Sequence, residues 1–310
     1  MKLIDRIKSF FVARYHIKEY VNKNEQELKY YIRSEHLKNC IYTNREIGIS
    51  DTKYCEHEII VSLTTYGKRL FEVATTIESI MQGSMLPNRI ILWLDDSLKQ
   101  ETLPISLKLQ EKRGLTIKFC KDLRSFKKLI PSMNAFPNDA IITIDDDLIY
   151  ERDLVENLYR THINNPNCIC ANRIHEIVLV NNKPINYTNW NMCISPSCSS
   201  PLHFPTTGAG TLFPPHCFDD EVFNESVFMD ICKYADDVWF YCMALKKGTK
   251  TVKSFTHSPI GEDYQENIHV QDISLKHINK YGNHLNDEQL GSVLGKYELY
   301  NLLKTVENEN

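Results

Sequence analysis

The residues best placed to do chemistry are the acids of IITIDDDLIY, residues 141–150. Asp145 and Asp147 stand at i and i+2 directly after an apolar, β-branched run, so both follow a buried strand. Carboxylates so placed offer hard oxygen donors suited to Mg²⁺ or Mn²⁺, ions that keep waters and take further ligands from a substrate diphosphate. A divalent ion there stabilises negative charge developing on a departing diphosphate. The competing reading is that Asp145–Asp147 caps a helix expected over Glu151–His162. A second acidic pair, Asp236 and Asp237, opens a helical pattern in which Val238, Trp239, Cys242 and Leu245 share one face, and Gly248 stops it. Successive residues are offset by about 100°, so Asp236 and Asp237 are not expected to point the same way, and Asp236 is placed to cap free N–H groups of the first turn. Four residues carry weaker signals. His257 in SFTHSPIG, just after an expected strand, could bind a metal or be a hydrogen-bonded surface or core residue. Trp190 could stack on a sugar face or be a buried core residue. Asp95 could accept from a nucleobase edge or cap a turn, and Arg69 could reach phosphate or be solvated.

The elements that must position these groups follow from the apolar runs. Ile59–Leu63, Arg89–Leu94, Leu115–Cys120 and Ala140–Ile144 read as strands, with helices expected over Leu70–Met81, Ser106–Arg113 and Phe126–Met133. Continuous apolar strands separated by helices predict a parallel α/β sheet covered on both faces, with ligands beyond the C-terminal strand ends. Beyond Asp147 the alternation weakens: Ile174–Val180 reads as strand and turn, 186–227 as loops around a site, and Phe240–Lys247 as a helix. The organisation expected is an N-terminal helical segment, 1–57, before one domain, 58–310, with a nucleotide-binding half, 58–147, and an acceptor half, 148–310.

Composition narrows the function classes. The 310 residues are 42% hydrophobic and 25% charged, which fits a globular chain and excludes a disordered one. Thirty-six basic residues against 40 acidic ones leave a formal charge of −4, which gives no field to recruit nucleic acid. None of the ten cysteines forms a CxxC pair and no signal peptide is evident, so they read as reduced thiols of a cytosolic protein. Residues 1–21 differ, at +3 with apolar residues near helical spacing. Such a helix can lie on an anionic membrane or pack on the domain, and is too charged to span a bilayer. The location expected is cytoplasmic, with peripheral attachment to the inner face of the plasma membrane as the membrane reading.

A strand followed by DxD occurs in two known site types. Haloacid-dehalogenase-type phosphatases need Thr or Val where this chain has Ile149, and carry the motif near the chain start. Placement in mid-domain resembles nucleotide-sugar glycosyltransferases of the GT-A type. SFKKLIPSMNAFPNDAIITIDDD is similar to glycogenin and its relatives, which implies that Lys128 contacts the donor. TTGAGTLF, residues 206–213, resembles the Gly-rich segment of exostosin-type glycosyltransferases, and YADDVWFYCMALKKG resembles their paired acids. VSLTTYGKR, residues 61–69, and LWLDD, residues 92–96, look like the loops that meet the nucleoside. Together these segments span roughly 58–250 in GT-A order, with bacterial surface-polysaccharide enzymes as the nearest group. DGSTD and QxxRW are absent, so the family marked by them is a poor match.

The resemblance implies a GT-A fold and a metal-dependent transferase using Mn²⁺ or Mg²⁺. It would move sugar from a nucleoside-diphosphate donor, UDP-sugar favoured, to a glycan or lipid-linked acceptor in capsule, O-antigen or lipopolysaccharide synthesis. Donor contacts would come from Thr64, Tyr66, Arg69, Asp95, Lys128, Asp145, Asp146, Gly208 and Gly210, metal ligands from Asp145, Asp147 and His257, and catalysis from Asp237 and Asp236. The alternatives are a nucleotidyltransferase, although VSLTTYGKRLF lacks a GxGTRxxP-like loop, and a binding module that kept the fold without activity.

Overall fold

In the computed structural model, which describes residues 2–267, 270 and 285–306 (2–13 and 304–306 as backbone alone), the apolar runs become strands of one sheet. β1 (Ile59–Thr64) is followed by α2 (Val73–Met81), β2 (Arg89–Asp95), α3 (Ile105–Glu111), β3 (Leu115–Cys120), α4 (Ile130–Ala135) and β4 (Ala140–Thr143); the long N-terminal helix is α1 (Lys2–Thr43). β4, β1, β2 and β3 pair side by side in parallel, as the apolar runs require. Period-two alternation is hidden inside each run. Ile59, Val61 and Leu63 pack into one core under α2 and α3, while Ile60, Ile91 and Ile141 face the other. The fold is therefore mixed α/β with a mostly parallel sheet buried on both faces.

After β4 come β5 (Leu148–Tyr150), α5 (Leu154–Asn164), β6 (Ile169–Ala171), β7 (Ile174–Glu176), β8 (Leu179–Val180), β9 (Lys183–Pro184), β10 (Asn191–Ile194), β11 (His203–Pro205) and β12 (Thr211–Phe213). Then follow α6 (Glu225–Ile231), α7 (Asp236–Lys247), β13 (Thr251–Lys253), β14 (Tyr264–Glu266) and α8 (Leu285–Lys296). The full sheet runs β13-β6-β12-β4-β1-β2-β3, with β12 antiparallel to both β4 and β6. This corrects the reading of 186–227 as loops. Three strands lie within it, one of them central in the sheet, but each is only three or four residues long and too short to show a period. The helix expected from Glu151 begins at Leu154, and β5 intervenes, paired with β14. Asp145–Asp147 therefore cap no helix.

α1 is about 63 Å long at 1.5 Å per residue over its 42 residues, twice the length read from 1–21. Tyr30, Ser34, Leu37 and Ile41 are buried, a 4-3-4 stripe that docks on the body. Residues 14–26 are exposed, and among the residues whose side chains are described the packing of α1 on the domain begins near Tyr30. No helix among the described residues is long and apolar enough to cross a membrane.

Where α5 ends beside the start of β1, His57 Nε2 lies 2.9 Å from His162 Nε2. His162 is 2% exposed and its Nδ1 has no partner among the described residues. Burial, then the neighbouring His57, pushes its imidazole down to about 4. A folded-state value below the unfolded one means that stability is level above pH 6.5 and falls as pH drops from there toward 4. Between pH 7 and 5 the fold should lose about 2 kcal/mol from this residue. Melting curves at both pH values should show a drop that shrinks in His162→Gln. An undiminished drop would assign the acid lability elsewhere.

Candidate functional site

The C-terminal ends of β1, β2 and β4 open into a cleft of about 730 Å³, within the range of small-ligand sites. Its floor is a network of charges. Lys128, 5% exposed at the end of the short turn Arg124–Lys128, sets its Nζ 2.9 Å from Asp145 Oδ1 and 3.2 Å from Asp236 Oδ2. Burial opposes its charge, but Asp145, Asp236 and Asp237 outweigh burial and hold the ammonium above its ordinary value. Burial likewise raises the Asp145 carboxyl, but Lys128, with Arg69 and Arg173, outweighs it and leaves the group below the usual carboxylate range.

Arg69, in the turn Gly67–Phe71, plays the equivalent part for the next two acids. Its Nη1 lies 2.8 Å from Asp146 Oδ1 and its Nη2 3.0 Å from Asp147 Oδ2. Thr65 donates its hydroxyl to Asp146 Oδ2 at 2.5 Å, and Thr76 donates to the Asp146 backbone oxygen. Asp146 thus anchors Arg69 beside the cleft.

Asp236 and Asp237 begin α7 after Ala235, which makes no side-chain cap. The expectation that Asp236 caps this helix is corrected: its carboxylate reaches across to Lys128. Nor do the two acids diverge. The Thr207 hydroxyl donates to Asp237 Oδ1 and lies 3.3 Å from Asp236 Oδ2, while the Thr207 backbone N–H donates to Asp237 Oδ1 at 3.0 Å. The angular offset along the helix is absorbed by side-chain torsions and by one hydroxyl lying between them. Burial, then repulsion from Asp236, pushes the Asp237 carboxyl up to about 6. A carboxylate poised there is suited to general-base work near neutrality.

The turn before β12 supplies the remaining wall. A Cβ on Gly208 would sit 2.0 Å from Asp145 Oδ2, so only glycine lets the backbone approach the acid so closely. Tyr150, fully buried, accepts from the Asp145 backbone N–H at 2.8 Å and donates to the Gly208 carbonyl. Arg173, just before β7, donates to Thr206 Oγ1 at 2.8 Å and to the Tyr264 hydroxyl at 2.6 Å.

Of the residues read from sequence, Thr64, Tyr66, Arg69, Asp95, Lys128, Asp145, Asp146, Asp147, Gly208, Asp236 and Asp237 all line this cleft. Asp95 also caps its own turn, accepting from Ser97 N–H at 2.9 Å. Gly210 does not line it. With φ +96 it packs against Leu154 and turns the chain into β12. His257 stands apart as well. It is exposed, and its Nε2 lies 2.7 Å from Asp153 Oδ2, outside the cleft, so its reading as a metal ligand is set aside. Trp190 is buried and donates to the Ile185 carbonyl, packed between Tyr187 and Phe204. Thr207, Tyr150 and Arg173 were missed. Tyr150 left a trace as the last residue of the DxD run, and Thr207 as part of TTGAGTLF.

No three His, Cys, Asp or Glu side chains among the described residues are grouped so as to enclose a cation unaided. The donor chemistry nevertheless fits a hard divalent ion. Asp145, Asp146, Asp147, Asp236 and Asp237 outnumber Arg69, Lys128 and Arg173 around the floor, and two carboxylates suffice where a diphosphate and waters complete the shell.

No family model matches the chain, and no curated protein matches it. Among solved structures it is similar to the mannosyltransferase PcManGT from Pyrobaculum calidifontis in complex with GDP-Man and Mn²⁺, at 13% identity and a TM-score of 0.42. That match covers 74% of this chain and spans only 62% of the mannosyltransferase. TarS 1–349 of S. aureus in complex with UDP is 11% identical over 78% of this chain and 70% of its own, with a TM-score of 0.45. The inositol-1-phosphate CTP transferase from T. maritima is 10% identical over 81% of this chain and 98% of its own, with a TM-score of 0.39. At such identities and TM-scores the likeness assigns no residue a role.

The charge network carries a direct prediction. Lys128→Met leaves Asp145 and Asp236 without their shared cation and should cost about 3–5 kcal/mol in denaturant unfolding. Adding Asp236→Asn should recover part of that loss. A single variant as stable as the parent would show that Lys128 does not hold the floor together.

Proposed function

We propose that the protein is a glycosyltransferase that moves a sugar from a nucleoside-diphosphate donor to a hydroxyl of a glycan or lipid-linked acceptor. The observation that supports this best is the convergence, in one cleft, of Lys128, Asp145 and Asp147 with the Asp236–Asp237 pair. Lys128 and Arg69 bring positive charge to a donor diphosphate, and Thr64, Tyr66 and Asp95 line the side toward the nucleoside. Asp145 and Asp147 would hold Mn²⁺ or Mg²⁺, which supplies charge neutralisation for the leaving diphosphate. Asp237, held by Thr207, takes the proton of the acceptor hydroxyl as that oxygen bonds to the anomeric carbon and the bond to the diphosphate breaks. UDP-sugars are the favoured donors, and surface-polysaccharide synthesis is the role this reading suggests.

The first test is product release from a panel of nucleotide sugars, with Mn²⁺, Mg²⁺ or EDTA. UDP or GDP should appear with metal, fall to background with EDTA, and be abolished in Asp147→Asn while the protein stays folded, Arg69 keeping its pairing with Asp146. Pyrophosphate release from a nucleoside triphosphate and a sugar 1-phosphate, with no UDP or GDP from any nucleotide sugar, would favour the nucleotidyltransferase alternative.

The second test separates the acidic pair. Asp237→Asn should lose turnover by about 10²–10⁴-fold with donor binding intact. Asp236→Asn should mainly lose stability, because it shares Lys128 with Asp145. A general base must be ionised, and Asp237 titrates near 6, so kcat/KM should fall roughly tenfold per unit as pH drops below about 6. A profile flat down to pH 5 would remove Asp237 from that role.

A further inference from the structure

The projecting half of α1 carries a pattern that the cleft does not use. Arg14, Ile17, Val21, Asn24, Leu28 and Tyr31 recur by alternating steps of three and four, a seven-residue repeat. The apolar members are exposed, Ile17 at 64%, Val21 at 54%, Leu28 at 58% and Tyr31 at 60%. In sequence the same register runs back through Phe10, Ile7 and Leu3. Forward, it turns polar where the helix docks on the body: its next positions are Glu35 and Lys38, which pair with each other at 3.3 Å. The exposed apolar stripe thus ends at Tyr31, beside Tyr30, where the helix begins to dock. Intrinsic propensity does not hold such a helix in water, since residues 15–32 are rich in β-branched and aromatic side chains.

We propose that this stripe is the seam of an antiparallel two-helix coiled coil with a second copy of the chain. The stripe complements itself about residue 19. With the helices opposed there, Val21 lies opposite the partner's Ile17. The two polar positions of the seam meet each other, Asn24 opposite the partner's Arg14. A parallel, in-register pair would instead set Arg14 against the partner's Arg14, a like-charge contact in the seam. An anionic membrane fits the described stretch less well: Glu19, Glu25 and Glu27 nearly balance Arg14, Lys18, Lys23 and Lys29, so no cationic face accompanies the stripe.

Size-exclusion chromatography with light scattering on the full chain should give twice 36.2 kDa. The double variant Val21→Glu with Leu28→Glu should give one chain's mass at an unchanged melting temperature of the body, because neither side chain enters the buried core. Asn24→Glu distinguishes orientation. It should tighten an antiparallel pair severalfold at low salt, by setting a carboxylate opposite the partner's Arg14, and should loosen a parallel one. A monomeric parent chain overturns the proposal, as does a dimer that survives the double variant or is weakened by Asn24→Glu. Sedimentation of a monomeric chain with phosphatidylserine vesicles would assign the stripe to a membrane instead.

Discussion

One buried ammonium is the constraint on which the cleft depends. Lys128 sits between Asp145, at the end of β4, and Asp236, at the start of α7, so a single charge joins segments about ninety residues apart in sequence. Without it, the acids gathered at the sheet rim would repel one another in a medium that screens them poorly. Several kcal/mol rest on the pairing, because removing one partner of a buried ion pair strands the other. Asp145, Asp146, Asp147 and Asp236 share one cleft because Lys128 and Arg69 divide them into two paired sets, while Thr207 holds Asp237.

The turn at Thr206–Gly210 does the finer work. Thr207 uses its backbone N–H and its hydroxyl on the same oxygen of Asp237, which leaves that carboxylate little rotational freedom. Gly208 lets the backbone approach Asp145, and the Tyr150 hydroxyl ties the two strands of the approach together. This turn is held in place by β12, whose antiparallel pairing with β4 carries it to the rim beside the DxD loop. Positioning and chemistry are thus inseparable here: the strand that completes the sheet also aims the acids.

The parallel half of the sheet could be read directly from sequence. Ile59–Leu63, Arg89–Leu94, Leu115–Cys120 and Ala140–Ile144 are apolar because both faces of a parallel sheet are covered, and they emerge as strands within a residue or so of those bounds. The acids at their ends were legible for the same reason, since ionisable residues immediately after a buried strand have nowhere to go except the rim. Short elements left no such trace. β12 has three residues, and three residues cannot display a period.

What tertiary structure alone decided is which charge faces which. Asp236 and Asp237 sit at a helix start, where local physics favours acids for capping, and only the approach of Lys128 and Thr207 from elsewhere in the chain turns them into the cleft. His257 follows a strand much as Asp145 does, yet its loop carries it to Asp153 on another face. Gly208 and Gly210 look alike in TTGAGTLF, but one yields room to a carboxylate and the other to Leu154. Local sequence determines hydrophobic period and strand ends because those depend on neighbouring residues. Pairing across ninety positions depends on how the layers close, and no local pattern encodes it.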